Sequence, residues 1–119
     1  MIEIKIFNRD ELINFNINEE ESTHVCLISE GEATLGVAGI KYDGESDIEL
    51  IFTEMRIDDE FLFDGLVKTI VNYADTQGFE EIVIYDEDTV DYLNRSSIKI
   101  SENIISIQEF KNRTHCRKV

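Results

Sequence analysis

The 119-residue chain is long enough for one domain with a real core and too short for two. Eleven Lys and Arg stand against 26 Asp and Glu, a net charge of −15, which speaks against a nucleic-acid partner and an anionic membrane surface, since both call for a basic face. No apolar run is long enough to span a bilayer, and the start, MIEIKIFNRDE, lacks the basic head and apolar run of a signal peptide, so a cytoplasmic location is expected.

Ile2–Phe7 alternates, with Ile2, Ile4 and Ile6 on one side and Glu3 and Lys5 on the other, and reads as a half-buried strand. Asn8 followed by Glu11 resembles a capping box and opens a short helix, Arg9 to about Asn18. Thr23–Ser29 and Ala33–Tyr42 are the next strands, joined at Glu30-Gly31-Glu32. Asp43-Gly44 is a hairpin signal leading into Ile48–Ile57. That last run is apolar and rich in β-preferring residues, as a strand buried on both faces would be.

From about Asp59 to Gln77, the spacing of Leu62, Leu66, Ile70, Tyr73 and Ala74 predicts a helix with one buried face. Asp58 and Asp59 supply cap oxygens and Gly78 a left-handed stop. Glu81–Tyr85 is a strand. Strand, crossover helix and strand make a βαβ unit, so the two strands should be parallel. After the acidic turn Asp86-Glu87-Asp88, a helix over Thr89–Arg95 points Val90 and Leu93 inward. Ile98–Ile100 and Ile104–Phe110 read as two more strands, and Lys111–Val119 as a basic, flexible tail. The order is β-α-β-β-β-α-β-α-β-β, an α+β fold on a mixed sheet in one domain spanning 1–119.

This order, together with Leu35-Gly36-Val37-Ala38-Gly39 in the third strand, Met55-Arg56-Ile57-Asp58-Asp59-Glu60-Phe61 after the fourth, and Tyr92 on the helix after the fifth, resembles the GNAT superfamily of acyl-CoA-dependent N-acyltransferases. The resemblance covers nearly the whole chain. It implies acetyl-CoA as cofactor, held by a glycine-rich loop after the fourth strand whose N–H groups wrap the pyrophosphate at a helix N-terminus. It sets Leu62-Phe63-Asp64-Gly65-Leu66-Val67 against that loop, with Met55 and Ile57 as further coenzyme contacts. Only Gly65 fits. Leu62 replaces a cation or Gln, Val67 a small residue and Phe63 a glycine, and Asp64 sets a negative charge beside an anion. At about 4 Å that repulsion is worth about 1 kcal/mol in water and about 4 kcal/mol at intermediate dielectric. Losing the cation forfeits about 1.5–3 kcal/mol more. The expectation is a decayed loop and no bound cofactor, with acetyl-CoA or CoA bound only if the loop still functions. In the plainer alternative, Phe61, Leu62 and Phe63 simply extend and pack the helix.

The same resemblance assigns Glu54 as the base that takes a proton from an amine, with Glu49 second, the Met55 N–H as the donor to a thioester oxygen, and Tyr92 as the acid. Against these stand an ordinary ion pair for Glu54 and simple packing for Tyr92. The fifteen or so residues between Phe7 and Thr23 are too few for the two helices that the family places there, so the acceptor side looks trimmed. His24, Cys26, His115 and Cys116 are four soft ligands without zinc-site spacing, and no metal is expected. The functional expectation is a non-catalytic binding, regulatory or assembly module, a homodimer or a protein partner's subunit. Its rival is an N-acetyltransferase acting on a small amine.

Overall fold

The computed structural model describes residues 1–8, 22–42, 47–96, 100 and 102–115, the side chains of 113–115 excepted. The expected helix over Arg9–Asn18, the Asp43-Gly44 turn, all but Ile100 of the Ile98–Ile100 strand, and the tail beyond His115 lie outside these residues.

Six strands form one sheet in chain order: β1 (Ile2–Asn8), β2 (His24–Glu30), β3 (Ala33–Lys41), β4 (Ile48–Met55), β5 (Glu81–Ile84) and β6 (Ile104–Ser106). β1 to β4 pair antiparallel, β4 and β5 parallel, and β5 and β6 antiparallel. The parallel pair is the one expected of the βαβ unit, whose crossover is α1 (Glu60–Thr76). α2 (Glu87–Arg95) and α3 (Ile107–His115) complete the described elements.

α1 forms where the apolar spacing put it. Asp59 has extended backbone geometry and its carboxylate accepts from the Leu62 N–H at 3.1 Å, so the helix is closed off from its first turn. At the other end Gly78 takes φ +90° and the Phe79 N–H reaches back to the Ala74 carbonyl at 3.0 Å, the left-handed stop that its sequence position suggests. The inward face of α1, from Leu62 through Leu66, Val67, Ile70 and Val71 to Ala74, covers Cys26, Ile28, Ala38, Ile40, Ile48 and Leu50 on the sheet. Each fully buried Ile or Leu in that layer is worth about 1.5–3 kcal/mol of transfer free energy. On the other sheet face Val25, Leu27 and Val37 pack with Phe7 and Phe52. β2 is therefore buried on both sides, which is why its sequence reads as a run and does not alternate.

The expected strand Ile104–Phe110 is corrected. Only three residues are strand, and α3 begins at Ile107. Ser106-Ile107-Gln108-Glu109 is a capping sequence: the Ser106 hydroxyl accepts from the Glu109 N–H at 3.3 Å, and Ile107 and Phe110 then fall on one buried helix face. Lys111, expected in a loose tail, is on that helix and pairs with Asp75 of α1. No helix among the described residues is long and apolar enough to cross a membrane.

One irregularity positions everything that follows. Gly39 pairs with Phe52 and Ile40 with Leu50, so Ile51 is an extra residue in β4, a β-bulge. Leu50 is also the last β4 residue paired with β5, opposite Ile84. Beyond the bulge β4 runs on to Met55 without β5 beside it, and the sheet opens.

Candidate functional site: the opening between β4 and β5

A cavity of about 1000 Å³ occupies this opening. Its walls are the end of β4, the Arg56–Asp59 connection, the first turn of α1 and one face of α2. Six carboxylates line it (Glu54, Asp58, Asp59, Glu60, Asp88 and Asp91) against two guanidinium groups, Arg56 and Arg95. Arg95 is already spoken for: its Nη1 lies 2.7 Å from Glu60 Oε1, tying α2 to the start of α1.

Behind Thr53, which lines the opening, Asp86 ties β4 to α2. It caps α2, accepting from the Thr89 N–H at 3.0 Å and the Thr89 hydroxyl at 2.8 Å. The same carboxylate accepts from the Thr53 N–H at 3.0 Å and the Thr53 hydroxyl at 2.6 Å. It thus stands in for the strand that β4 lacks here, and satisfies an N–H on the open edge. The sequence shows a cap signal at this point, an Asp followed by two acidic first-turn residues, Glu87 and Asp88. Starting the helix at Thr89 overlooks it, and nothing local announces the second partner, Thr53.

The expected site residues divide into two groups. Glu54, Met55, Ile57, Phe63 and Tyr92 all line the cavity. Glu54 is exposed, opposite Val37 on the sheet face away from α1. The Arg56 N–H points at β3, donating to the Leu35 carbonyl at 2.9 Å, so by strand alternation the Met55 N–H points the other way, along the edge that Thr53 shares. Tyr92 lies edge-on to Phe63, ring centroids 5.5 Å apart, and its hydroxyl donates to Asp64.

The rest are corrected. Leu62–Val67 do not form a loop in front of a helix; they are the first turns of α1 itself. Leu62, Leu66 and Val67 are buried in the core. Asp64 is held between Tyr92 and Lys68, whose ammonium is 2.8 Å away. Gly65 faces β1: a Cβ there would lie 2.9 Å from Ile4 Cδ1. Its lack of a side chain serves helix–strand packing. Glu49, the second base candidate, is not at the cavity and accepts from the Tyr85 hydroxyl at 3.3 Å.

The helix start that would face an anion is therefore Asp58–Leu62. Asp59 occupies the Leu62 N–H and its carbonyl takes the Phe63 N–H at 3.1 Å. Among the described residues, Glu60 and Phe61 are the first-turn donors left over. Three consecutive carboxylates, Asp58, Asp59 and Glu60, surround them. A helix N-terminus attracts an anion less strongly where the protein's own acids already meet its positive end. These residues do not fit a coenzyme pyrophosphate.

Of the soft ligands, the side chains of His24 and Cys26 are described. His24 shares a hydrogen bond with the Thr23 hydroxyl at 2.9 Å and lies against the Tyr42 and Tyr73 rings, centroids 5.7 and 5.8 Å away. Cys26 is fully buried, and burial pushes its thiol up to about 12. Cys116 lies outside the described residues.

No family model matches the chain, and no curated protein matches its sequence. Among solved structures, an N-acetyltransferase from Staphylococcus aureus Mu50 superimposes over 90% of this chain and 98% of its own, with a TM-score of 0.61 and 14% identity. The architecture of this chain, a mixed six-stranded sheet with the parallel β4–β5 pair, is thus a GNAT-like α+β fold.

Proposed function

We propose that this GNAT-fold domain does not hold an acyl-CoA and works as a non-catalytic binding, regulatory or assembly module, most simply as a homodimer. One observation carries the proposal: the helix start beside the opening presents the carboxylates of Asp58 and Asp59, and Asp59 already caps it, with Glu60 paired to Arg95 next to them. Each carboxylate about 4 Å from a phosphate would cost about 1 kcal/mol in water and about 4 kcal/mol at intermediate dielectric. Two such contacts are enough to lower affinity by tenfold or far more. A thermal-shift titration with acetyl-CoA tests this. The expected result is an unchanged melting temperature through the micromolar range. A ligand at a hundred times its Kd would add about 2.7 kcal/mol of stability, and a rise of that order would overturn the proposal.

The rival, an acetyltransferase acting on an amine, draws on a separate observation. Glu54, Met55 and Tyr92, the three positions that the family resemblance assigns to chemistry, line one cavity. Against it, the Tyr92 hydroxyl is engaged with Asp64. Release of free thiol from acetyl-CoA in the presence of a polyamine or a lysine peptide would favour this rival.

A further inference from the structure

We propose that the outer edge of β1 pairs with the same edge of a second copy of this chain, antiparallel about a twofold axis at Ile4. This deepens the assembly reading above by naming the partner and the surface.

β1 is the first strand of the sheet, and among the described residues nothing pairs with its outer side. Which backbone groups face that side follows from the ladder. The Ile40 carbonyl points at β2, accepting from the Thr23 N–H at 2.8 Å. By alternation Gly36, Ala38 and Ile40 bond to β2, where they pair with Ile28, Cys26 and His24. The intervening β2 residues, Val25, Leu27 and Ser29, therefore bond to β1, at Phe7, Lys5 and Glu3. This leaves the N–H and C=O groups of Ile2, Ile4 and Ile6 pointing outward.

A second β1 can bond to these groups only if outward residues meet outward residues, which restricts the register. Centring the twofold at Glu3 sets Glu3 against Glu3. Centring it at Lys5 sets Lys5 against Lys5. Both put like charges directly opposite, which destabilises a pair. Centring it at Ile4 pairs Ile4 with itself and Ile2 with Ile6, each exchanging both hydrogen bonds. Glu3 of each copy then faces Lys5 of the other, in the wide pairs where side chains come closest. The two charges that would guard a lone edge against pairing are thus complementary in this one register. In a single copy Glu3 and Lys5 can meet only along their own strand, 3.3 Å apart.

The apolar residues agree. Ile4 and Ile6 are half-buried against the core while Ile2 remains 44% exposed. α1 returns antiparallel to β4, so it runs in the direction of β1. Gly65 sits over Ile4, and Phe61, one turn earlier on the same face, is 83% exposed. Phe61 and Ile2 thus border the same end of this edge, and the Ile6 side of a second copy would lie beside them. Continuing the sheet through the twofold joins the isoleucine rows into one covered stripe.

Sedimentation velocity across the micromolar range tests the pairing on the unmodified chain, on E3K, on K5E and on the double variant E3K/K5E, with circular dichroism to verify that each is folded. The unmodified chain is expected to dimerise. Each single variant sets like charges opposite at both symmetric pairs and should raise the dimer Kd at least about tenfold. The double variant restores opposite signs and should return it to within about threefold. A monomer throughout the range, a dimer that the single variants do not weaken, or a double variant no better than the singles would overturn the proposal. None of these readouts involves coenzyme, so a failure here leaves the phosphate-site reading standing, and a thermal shift with acetyl-CoA leaves the dimer standing.

Discussion

Asp86 makes the sharpest claim about how the opening is held. One carboxylate bonds four donors on two elements: the N–H and hydroxyl of Thr53 on β4 and of Thr89 on α2. Asp86→Ala removes the helix cap, a loss of about 1 kcal/mol. It also strands the Thr89 hydroxyl, which is fully buried, and the Thr53 N–H, each unsatisfied group costing about 1–3 kcal/mol. Thr53 is only half-buried, so water can enter on its side and the losses do not sum. The expected destabilisation is about 3–4 kcal/mol, a large share of the 5–15 kcal/mol or so typical of a domain. Two further variants separate the roles. Asp86→Ser keeps a short cap for α2 and cannot reach Thr53, so it should cost less and act on β4 alone. Asp86→Asn keeps the shape but offers one acceptor fewer. Urea unfolding followed by circular dichroism gives the stabilities, and amide exchange at Thr53 should rise in the Ser variant. A cost below about 1 kcal/mol for Asp86→Ala would show that the four bonds are not holding the sheet and helix together.

Three further outcomes are expected. At Gly39 an added Cβ would lie 2.2 Å from the Phe52 ring and 2.3 Å from the Ser22 hydroxyl, whereas at Gly31 nothing lies within 4 Å and only the left-handed φ of +61° opposes a side chain. Gly39→Ala should cost about 1–3 kcal/mol through repacking, more than the 1 kcal/mol or so of strain at Gly31→Ala, and equal midpoints in urea would refute the contact. The Cys26 thiol is raised by burial to about 12. A group raised in the folded state gives stability that is complete below its unfolded pKa and is lost as pH climbs through the folded one. Stability should therefore decline between about pH 9 and 12, by at most about 1.4 kcal/mol per pH unit from this group, and Cys26→Ala should flatten that decline. In a Cys116→Ser background, native Cys26 should resist a thiol reagent until urea unfolds the chain.

Much of the fold was legible. The alternation in Ile2–Phe7, the apolar runs of the next strands and the spacing from Leu62 to Ala74 each specify a face, and burial follows those faces. The misreadings share a cause: a short apolar stretch does not show on which side of a boundary it lies. Ile104–Phe110 has enough isoleucine for a strand, yet Ser106 and Glu109 cap a helix in its middle. The bulge at Ile51 leaves no mark, since Leu50-Ile51-Phe52 reads alike with or without a slipped residue. Gly65 misled most. In a stretch that resembles a phosphate loop it stands out as the one matching glycine, but a glycine also fits where a helix presses on a strand, and Ile4 supplies that strand. Local sequence cannot distinguish the two uses, because the residue that decides between them is far away in the chain.

The same separation applies to the cavity and the charges at its mouth. The opening is created by backbone: the parallel β4–β5 pairing stops at Leu50, the bulge turns β4 aside, and Asp86 takes the strand's unmet N–H. None of these depends on what enters the space. The anion site, by contrast, is created by side chains at one helix start, and there the chain carries Asp58, Asp59 and Glu60. Replacing these carboxylates should therefore change charge without closing the cavity, while replacing Asp86 should disturb the cavity without creating an anion site. An opening of about 1000 Å³ is thus a property of the sheet, and the electrostatics of its mouth decide what can occupy it.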